Sequence, residues 1–281
     1  LSTETLAELY DSHGLPPNAV QETAEKEGIK VSVPDNFYAV IAARHVVAPL
    51  IEEAPIVKKM RDKISDLPAT RTLYYENAYL QTFRAKVLRL IEGKYVVLDQ
   101  TAFYPEGGGQ LPDYGYLTFK KNKTRVTDAQ KVGSIIIHAI EGPAPNIGEN
   151  IIGKIDWDRR ISLMRHHTAT HILIGAARHV LGEHVWQSGA QKEVNHARLD
   201  LSHYKRITSS EAAEIEWLAN NIVMSNLPVE ITWMPREKAE SLYGFRLYEG
   251  GVVPGREIRV VKIGEWDVEA CGGNHCRTTG E

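Results

Sequence analysis

Two short segments far apart in the chain carry the side chains with the most chemistry in them. His167 and His171 stand four residues apart in a stretch whose apolar residues recur at helical steps, so both imidazoles leave one face of a helix. Far downstream, Cys271-Gly272-Gly273-Asn274-His275 offers a thiolate and a third imidazole on a turn whose glycines let the backbone fold tightly. Together they are four ligands of the kinds Zn2+ prefers, two from a helix and two from a turn. Either pair alone is a weak signal, since a helical His-x3-His is more often two exposed or core histidines. Both pairs in one chain, with an apolar helix and a glycine-rich turn, point to one shared site. Position 168 is threonine, so the helical zinc-protease motif lacks its glutamate base. Cys276 competes with Cys271 for the metal, although helix and turn favour Cys271 with His275. His184 and Gln187 follow the helix closely enough to line the same cleft. His166 lies about 100° around the helix and faces elsewhere, and His138, His179 and His203 read as surface or packed groups.

A second segment runs from Asp99 to Gln110 and contains Gly107-Gly108-Gly109. Consecutive glycines reach backbone conformations closed to other residues and can present N–H groups to a ligand. It is not a phosphate-binding P-loop, because Gln110-Leu111 stands where lysine and a hydroxyl would follow the glycines. Taken alone it is a hairpin.

The elements that must position these groups are readable in outline. Up to about Asp66 the pattern is helical, with Ser2 as an N-cap, stops at Gly14 and Gly28 and a restart at Pro16-Pro17. Ser65 to Thr70 has turn composition and sets a boundary at 68. From Leu73 to about Ile155 the period changes to two, in Lys86–Ile91, Tyr95–Leu98, Tyr116–Phe119 and Ser134–His138, with turns at Glu92-Gly93 and Lys121-Asn122; short strands so spaced predict a small antiparallel β-barrel. A helix is expected from a cap at Asp156 or Asp158 to Gly182. A second opens with the capping box Thr208 to Glu211 and buries Ile215, Leu218, Ile222 and Val223. Ala197–Leu201, Val229–Trp233 and Glu257–Ile263 read as strands, and a short helix opens at Pro235 and ends at Gly244. The fold class is α+β: a helical start over 1–68, a barrel over 69–155 that carries the glycine loop, and a metal-binding core over 156–281 with helices on an antiparallel sheet.

Composition sets the outer bounds. The chain has 281 residues, 43% hydrophobic and 25% charged, with a net charge of −3. That is ordinary for a folded domain and excludes a global basic field of the sort nucleic-acid binders show. RNA contacts would have to come from local runs, Arg159, Arg160 and Arg165 or Lys120, Lys121, Lys123 and Arg125, which are more often plain surface. Two cysteines exclude a disulfide framework and, beside a histidine, point to metal in a reducing cytosol. No signal peptide or membrane-length apolar run is present, so a cytoplasmic protein without membrane contact is expected. A start at Leu1 suggests an internal piece of a longer protein.

Read in order, Gln100 to Gln110, His167-Thr168-Ala169-Thr170-His171, Ala197 to His203 and Cys271 to His275 resemble the editing domain of alanyl-tRNA synthetases and the free-standing AlaX proteins, over roughly Tyr75 to Glu281. Leu9 to Pro16 looks like the close of the synthetase's tRNA-recognition helices, in archaeal style, and so favours the synthetase. The resemblance implies a site that hydrolyses the ester of Ser-tRNA(Ala) and Gly-tRNA(Ala). His167, His171, Cys271 and His275 would bind one Zn2+; Gly107, Gly108, Gly109 and Gln110 would shape the amino-acid pocket. Thr101 would sense the serine hydroxyl, with Gln187 a further pocket residue, and no catalytic group is assigned. The partners implied are the tRNA(Ala) acceptor end, the aminoacylation and C-terminal domains of the same polypeptide, and a homo-oligomer through that C-terminal domain. ATP belongs only to aminoacylation, which this piece lacks. A second sieve is physically expected, because one methylene or hydroxyl discriminates only roughly 10 to 200-fold. The alternatives are an independent AlaX hydrolase and a non-catalytic, zinc-stabilised RNA-binding module.

Overall fold

A computed structural model describes residues 1–13, 17–34, 36–38, 40–41, 55–248 and 255–281. Two helices, α1 (Thr3–His13) and α2 (Pro17–Lys26), open the chain. Ser2 Oγ accepts from the Thr5 amide at 3.1 Å as the expected cap, and Gly28 turns the chain after α2 at φ +72. The expected stop at Gly14 and the Pro16 half of the restart lie outside the described residues, and α2 begins at Pro17. Leu6, Ala7, Val31, Phe37 and Ile41 form the small core of this start. Helix α3 (Pro55–Ile64) then lays Met60 and Ile64 on the outer wall of the barrel, against Ile91, Val97, Val132, Ile135 and Ile137.

The barrel follows a two-residue strand β1 (Arg71–Thr72) and a single turn of helix, α4 (Leu73–Glu76). Its strands are β2 (Thr82–Ile91), β3 (Tyr95–Leu98), β5 (Gly115–Phe119), β6 (Asn122–Val132), β7 (Ile135–Glu141) and β8 (Asn150–Ile155), while β4 (Gln100–Thr101) pairs in parallel with β1. They close in the order β2-β3-β7-β6-β5-β8, every neighbour antiparallel. Alternate residues, among them Phe83, Val96, Leu98, Leu117, Val126, Ile136 and Ile151, fill the interior, which is how a closed sheet removes its edges. Strands β6 and β8 were not anticipated. In β6 the inward residues Thr124, Val126 and Ala129 are buried while Lys123 and Arg125 stand outside, so a basic run masks the period. The expected turn at Lys121-Asn122 sits at Lys120-Lys121, and Asn122 already pairs with Phe119.

The core begins with α5 (Trp157–Leu181). Its N-cap Asp156 accepts from the Arg159 amide at 3.2 Å, and Gly182 closes it. Arg160 on its first turn is fully buried and paired with the equally buried Asp113 of the barrel's long loop, and it also donates to Ala78 O and Ala102 O. Four acceptors for one guanidinium offset the cost of burying that charge and lock helix to barrel. Arg159 donates to Pro112 O, and Arg165 to Glu281 O. Of the Arg159, Arg160 and Arg165 run, Arg160 is thus buried in the fold, Arg159 half-buried and Arg165 exposed.

Strands β9 (Gln187–Lys192) and β10 (Ala197–Leu201) make an antiparallel pair; β11 (Val229–Pro235), β12 (Glu257–Ile263) and β13 (Asp267–Ala270) make a separate three-stranded sheet. The single antiparallel sheet expected here is thus two. Helix α6 (Ser209–Met224) carries the full capping box between Thr208 and Glu211 and packs on α5. It lies at the surface: Ala219 is buried, whereas Ile215, Leu218, Ile222 and Val223 are only half-buried. Helix α7 (Arg236–Tyr243) runs from Pro235 to Gly244 as expected.

Candidate metal centre

Helix α5 presents His167 and His171 one turn apart, both 2% to 3% exposed. The facing side is the turn after β13, whose register opposite β12 (Val260 with Ala270) and a bond from the Cys271 amide to Arg259 O fix where it begins. Gly273 is required there: a Cβ would lie 1.9 Å from the His167 ring. That close approach brings His167, His171, Cys271 and His275 together, with one ligand atom from each within 4.8 Å of all the others. Cys271 Sγ lies 3.3 Å from His167 Nε2 and 3.4 Å from His275 Nε2. Metal bonds of about 2.0 Å to nitrogen and 2.3 Å to sulfur put tetrahedral ligand atoms roughly 3.3 to 3.6 Å apart, so the donor set fits such an ion.

Each imidazole is also held from behind through its other nitrogen. His167 Nδ1–H donates to Gln110 Oε1 at 2.7 Å, and His171 Nδ1–H donates to Asp267 Oδ2 at 2.9 Å. His275 Nδ1 lies 3.3 Å from Thr168 Oγ1, which also accepts from the Cys276 amide. All three Nε2 atoms are thereby turned inward, the arrangement that fixes tautomer and ring direction in metal sites. Burial holds the His167 and His275 pKa values well below the imidazole range, helped by the neighbouring cations. At His171 burial acts the same way but is outweighed by Glu269 and Asp267, and its pKa rises. Burial raises the Cys271 thiol, yet the bond and charge of His171 outweigh it and leave the pKa below the usual value. Neutral imidazoles and a thiolate are the forms that bind metal; His171 Nε2, 3.6 Å from Glu269 Oε2, would have to be unprotonated to bind an ion.

The glycine loop lies against this cluster. Gly109, at φ +72, approaches β9 so closely that a Cβ would sit 2.2 Å from Ala190 O, and the Lys192 amide donates to Gly109 O at 2.7 Å. Loop, cluster and β9 enclose a cavity of ≈ 300 Å³ whose lining includes Gly107, Gly108, His167, His171, Gln187, Lys192, Glu269 and Cys271, with Tyr74, Tyr75 and Tyr104 forming an aromatic wall. That is at the small end of ligand pockets, roughly 300 to 1,000 Å³.

Several residues singled out in the sequence fall elsewhere. Thr101 does not line the cavity. Its side chain faces into the barrel, where the hydroxyl donates to His138 Nε2 at 2.9 Å and accepts from the Phe103 amide. Thr101 pairs with Thr72 and is fully buried. Gln110 is buried behind His167, where its Oε1 accepts from His167 Nδ1–H, and does not line the cavity. His184 is at the surface, 2.9 Å from His203. Cys276 is outside the cluster, its thiol pushed up to about 11 by burial. Asp267, Glu269, Thr168 and Lys192 were missed. Asp267 and Glu269 sit at period two on β13 and Cys271 follows in step just past its end, so acidic residues there, in otherwise apolar surroundings, were the available signal.

The family described as tRNA synthetases class II (A) matches residues 1–159, more than half of the chain. The chain belongs to that family. The threonyl and alanyl tRNA synthetase second additional domain matches residues 258–281, the segment that holds β12, β13 and the ligand turn. The chain is 54% identical over 285 residues to a protein named alanine–tRNA ligase from Pyrobaculum calidifontis, covering 100% of this chain and 32% of the relative. Proteins of the same name from Pyrococcus abyssi and Thermococcus kodakarensis are 55% and 54% identical over 99% and 100% of the chain, each covered to 30%. The chain therefore spans about a third of the length of these relatives.

Proposed function

We propose that this chain carries the proofreading site of an alanyl-tRNA synthetase, which hydrolyses the ester of serine or glycine wrongly attached to tRNA(Ala). One observation carries the reading: the helix-borne and turn-borne ligands converge beside the triple-glycine loop, at the wall of a cavity the size of an amino acid with part of a ribose. The second additional domain, matched at the ligand turn, supports it. The match of residues 1–159 within the class II (A) family favours a synthetase over a free-standing AlaX protein. We divide the chain into a tRNA-recognition end (1–68), a barrel with the glycine loop (69–155) and the editing core (156–281). Ligation of alanine with ATP, the acceptor end of tRNA(Ala), the remaining domains and any homo-oligomer belong to the longer cytoplasmic protein. Among the described residues no helix is long and apolar enough to cross a membrane.

The ion best suited to three imidazoles and one thiolate is Zn2+. Held by His167, His171, Cys271 and His275, it would order the pocket and supply Lewis acidity near the ester. Four protein donors make a closed set, which favours the ordering role. Gly107, Gly108 and Gln187, with Lys192 and Glu269, would contact the aminoacyl end.

The Zn2+-loaded chain is expected to release serine from seryl-tRNA(Ala) and glycine from glycyl-tRNA(Ala) while sparing alanyl-tRNA(Ala), and His171→Ala to release neither above background. Absence of release by the intact chain would leave the non-catalytic zinc module as the better reading.

A further inference from the structure

Lys192 is buried, at 2% exposure, and it borders the cavity. Its backbone is stitched to the glycine loop on both sides, since its amide donates to Gly109 O and its carbonyl accepts from the Leu111 amide. Its Nζ donates to Gly108 O at 2.9 Å. An ammonium has three N–H donors, and one neutral carbonyl is poor return for removing a charge from water. Lys192 and His167 line the same cavity, which leaves the remaining donors available to a ligand held there. Glu269, of opposite charge, lines the same cavity.

Resting on the reading of the site as an aminoacyl-ester hydrolase, we propose that Lys192 Nζ donates to the carbonyl oxygen of the scissile ester and holds the negative charge that forms there. The two buried charges also set the polarity of the substrate. An α-ammonium group is repelled by Lys192 and drawn to Glu269, which leaves the carbonyl oxygen for the lysine. Water adds its oxygen to the carbonyl carbon and the C=O π pair moves onto the oxygen beside Lys192. Re-forming the C=O expels the ribose oxygen, which takes one proton of the water, and the amino acid leaves as its carboxylate with the other proton passing to solvent. Lys192 stays protonated throughout.

The test compares the Zn2+-loaded chain with Lys192→Met and Lys192→Arg on seryl-tRNA(Ala), with zinc content and binding of a non-cleavable amide-linked seryl-adenosine measured in parallel. Loss of one preorganised oxyanion donor lowers kcat about 10² to 10³-fold. Lys192→Met is expected to lose that much in kcat, with KM and analogue binding within about threefold, and Lys192→Arg to recover about tenfold or more, at full zinc content. A kcat for Lys192→Met within threefold of the parent overturns the assignment. So does a loss confined to KM, or a loss of zinc, which makes Lys192 a prop of the loop. If the parent itself releases no serine, the reading of the site fails, and not the role of Lys192 within it.

Discussion

Buried histidines occupy two regions of this molecule, and the difference between them is what makes one region a candidate site. Inside the barrel, both ring nitrogens of His138 are engaged: Nδ1–H donates to Val96 O at 3.1 Å and Nε2 accepts from Thr101. In the core, His167, His171 and His275 each have Nδ1 held from behind and Nε2 turned toward the same point. Burial alone is common to all four. A histidine with both nitrogens held by a carbonyl and a hydroxyl is packing; three that turn Nε2 toward one thiol make the candidate ligand set. The comparison also explains Thr101, whose hydroxyl belongs to the packing histidine.

The largest effect expected from breaking this contrast is at the cluster itself. His171→Ala should purify without stoichiometric zinc by elemental analysis, because three donors remain and Asp267 and Glu269 lose their partner; full zinc in that variant would refute the ligand set. His138→Gln should keep its zinc but change the acid stability. His138 is held down to about 4 from 6.5, chiefly by burial. The unfolded chain therefore binds a proton that the folded chain refuses, and stability falls as pH drops from about 6.5 toward 4, by about 3 kcal/mol across that window. Urea unfolding at pH 7 and pH 4.5 should show that loss in the parent and a loss smaller by about that amount in His138→Gln.

How much of this was legible beforehand depended on how local the cause was. Asp156 and Gly182 bound α5, and Thr208 with Glu211 begins α6, because caps are decided within one turn. The alternation of β6 was hidden by its lysines, β9 (Gln187-Ser188-Gly189-Ala190-Gln191-Lys192) has no β-branched or aromatic residue to mark it, and β13 is only four residues long. The convergence of α5 with the turn after β13 is set by packing and by sheet register across the whole core, so spacing could nominate four ligands but only the fold assembles them. Thr101 and Gln110 illustrate the boundary. They share one loop, yet the first pairs with Thr72 and faces into the barrel while the tight glycines deliver the second behind His167.

Supports should matter less than ligands. Gln110→Ala and Asp267→Asn are each expected to weaken zinc about 10 to 100-fold in chelator competition, whereas His138→Gln leaves affinity unchanged. A variant of either support with parental affinity would mean that packing alone aims the rings.

The smallest effect separates the two cysteines. Cys276 is 3% exposed and its thiol stands at about 11, burial being the main cause, while Cys271 is half-buried at the cavity with its pKa lowered beside His171. Thiolates, not thiols, are alkylated and metallated. In protein stripped of zinc, Cys271 should be alkylated well before Cys276 as read by mass spectrometry, and zinc should protect Cys271 alone. Cys276→Ala removes one buried sulfur, costs about 1 kcal/mol of stability and keeps its zinc, because Cys276 meets the cluster only indirectly, through Thr168. Loss of metal from that variant would place the second cysteine among the ligands.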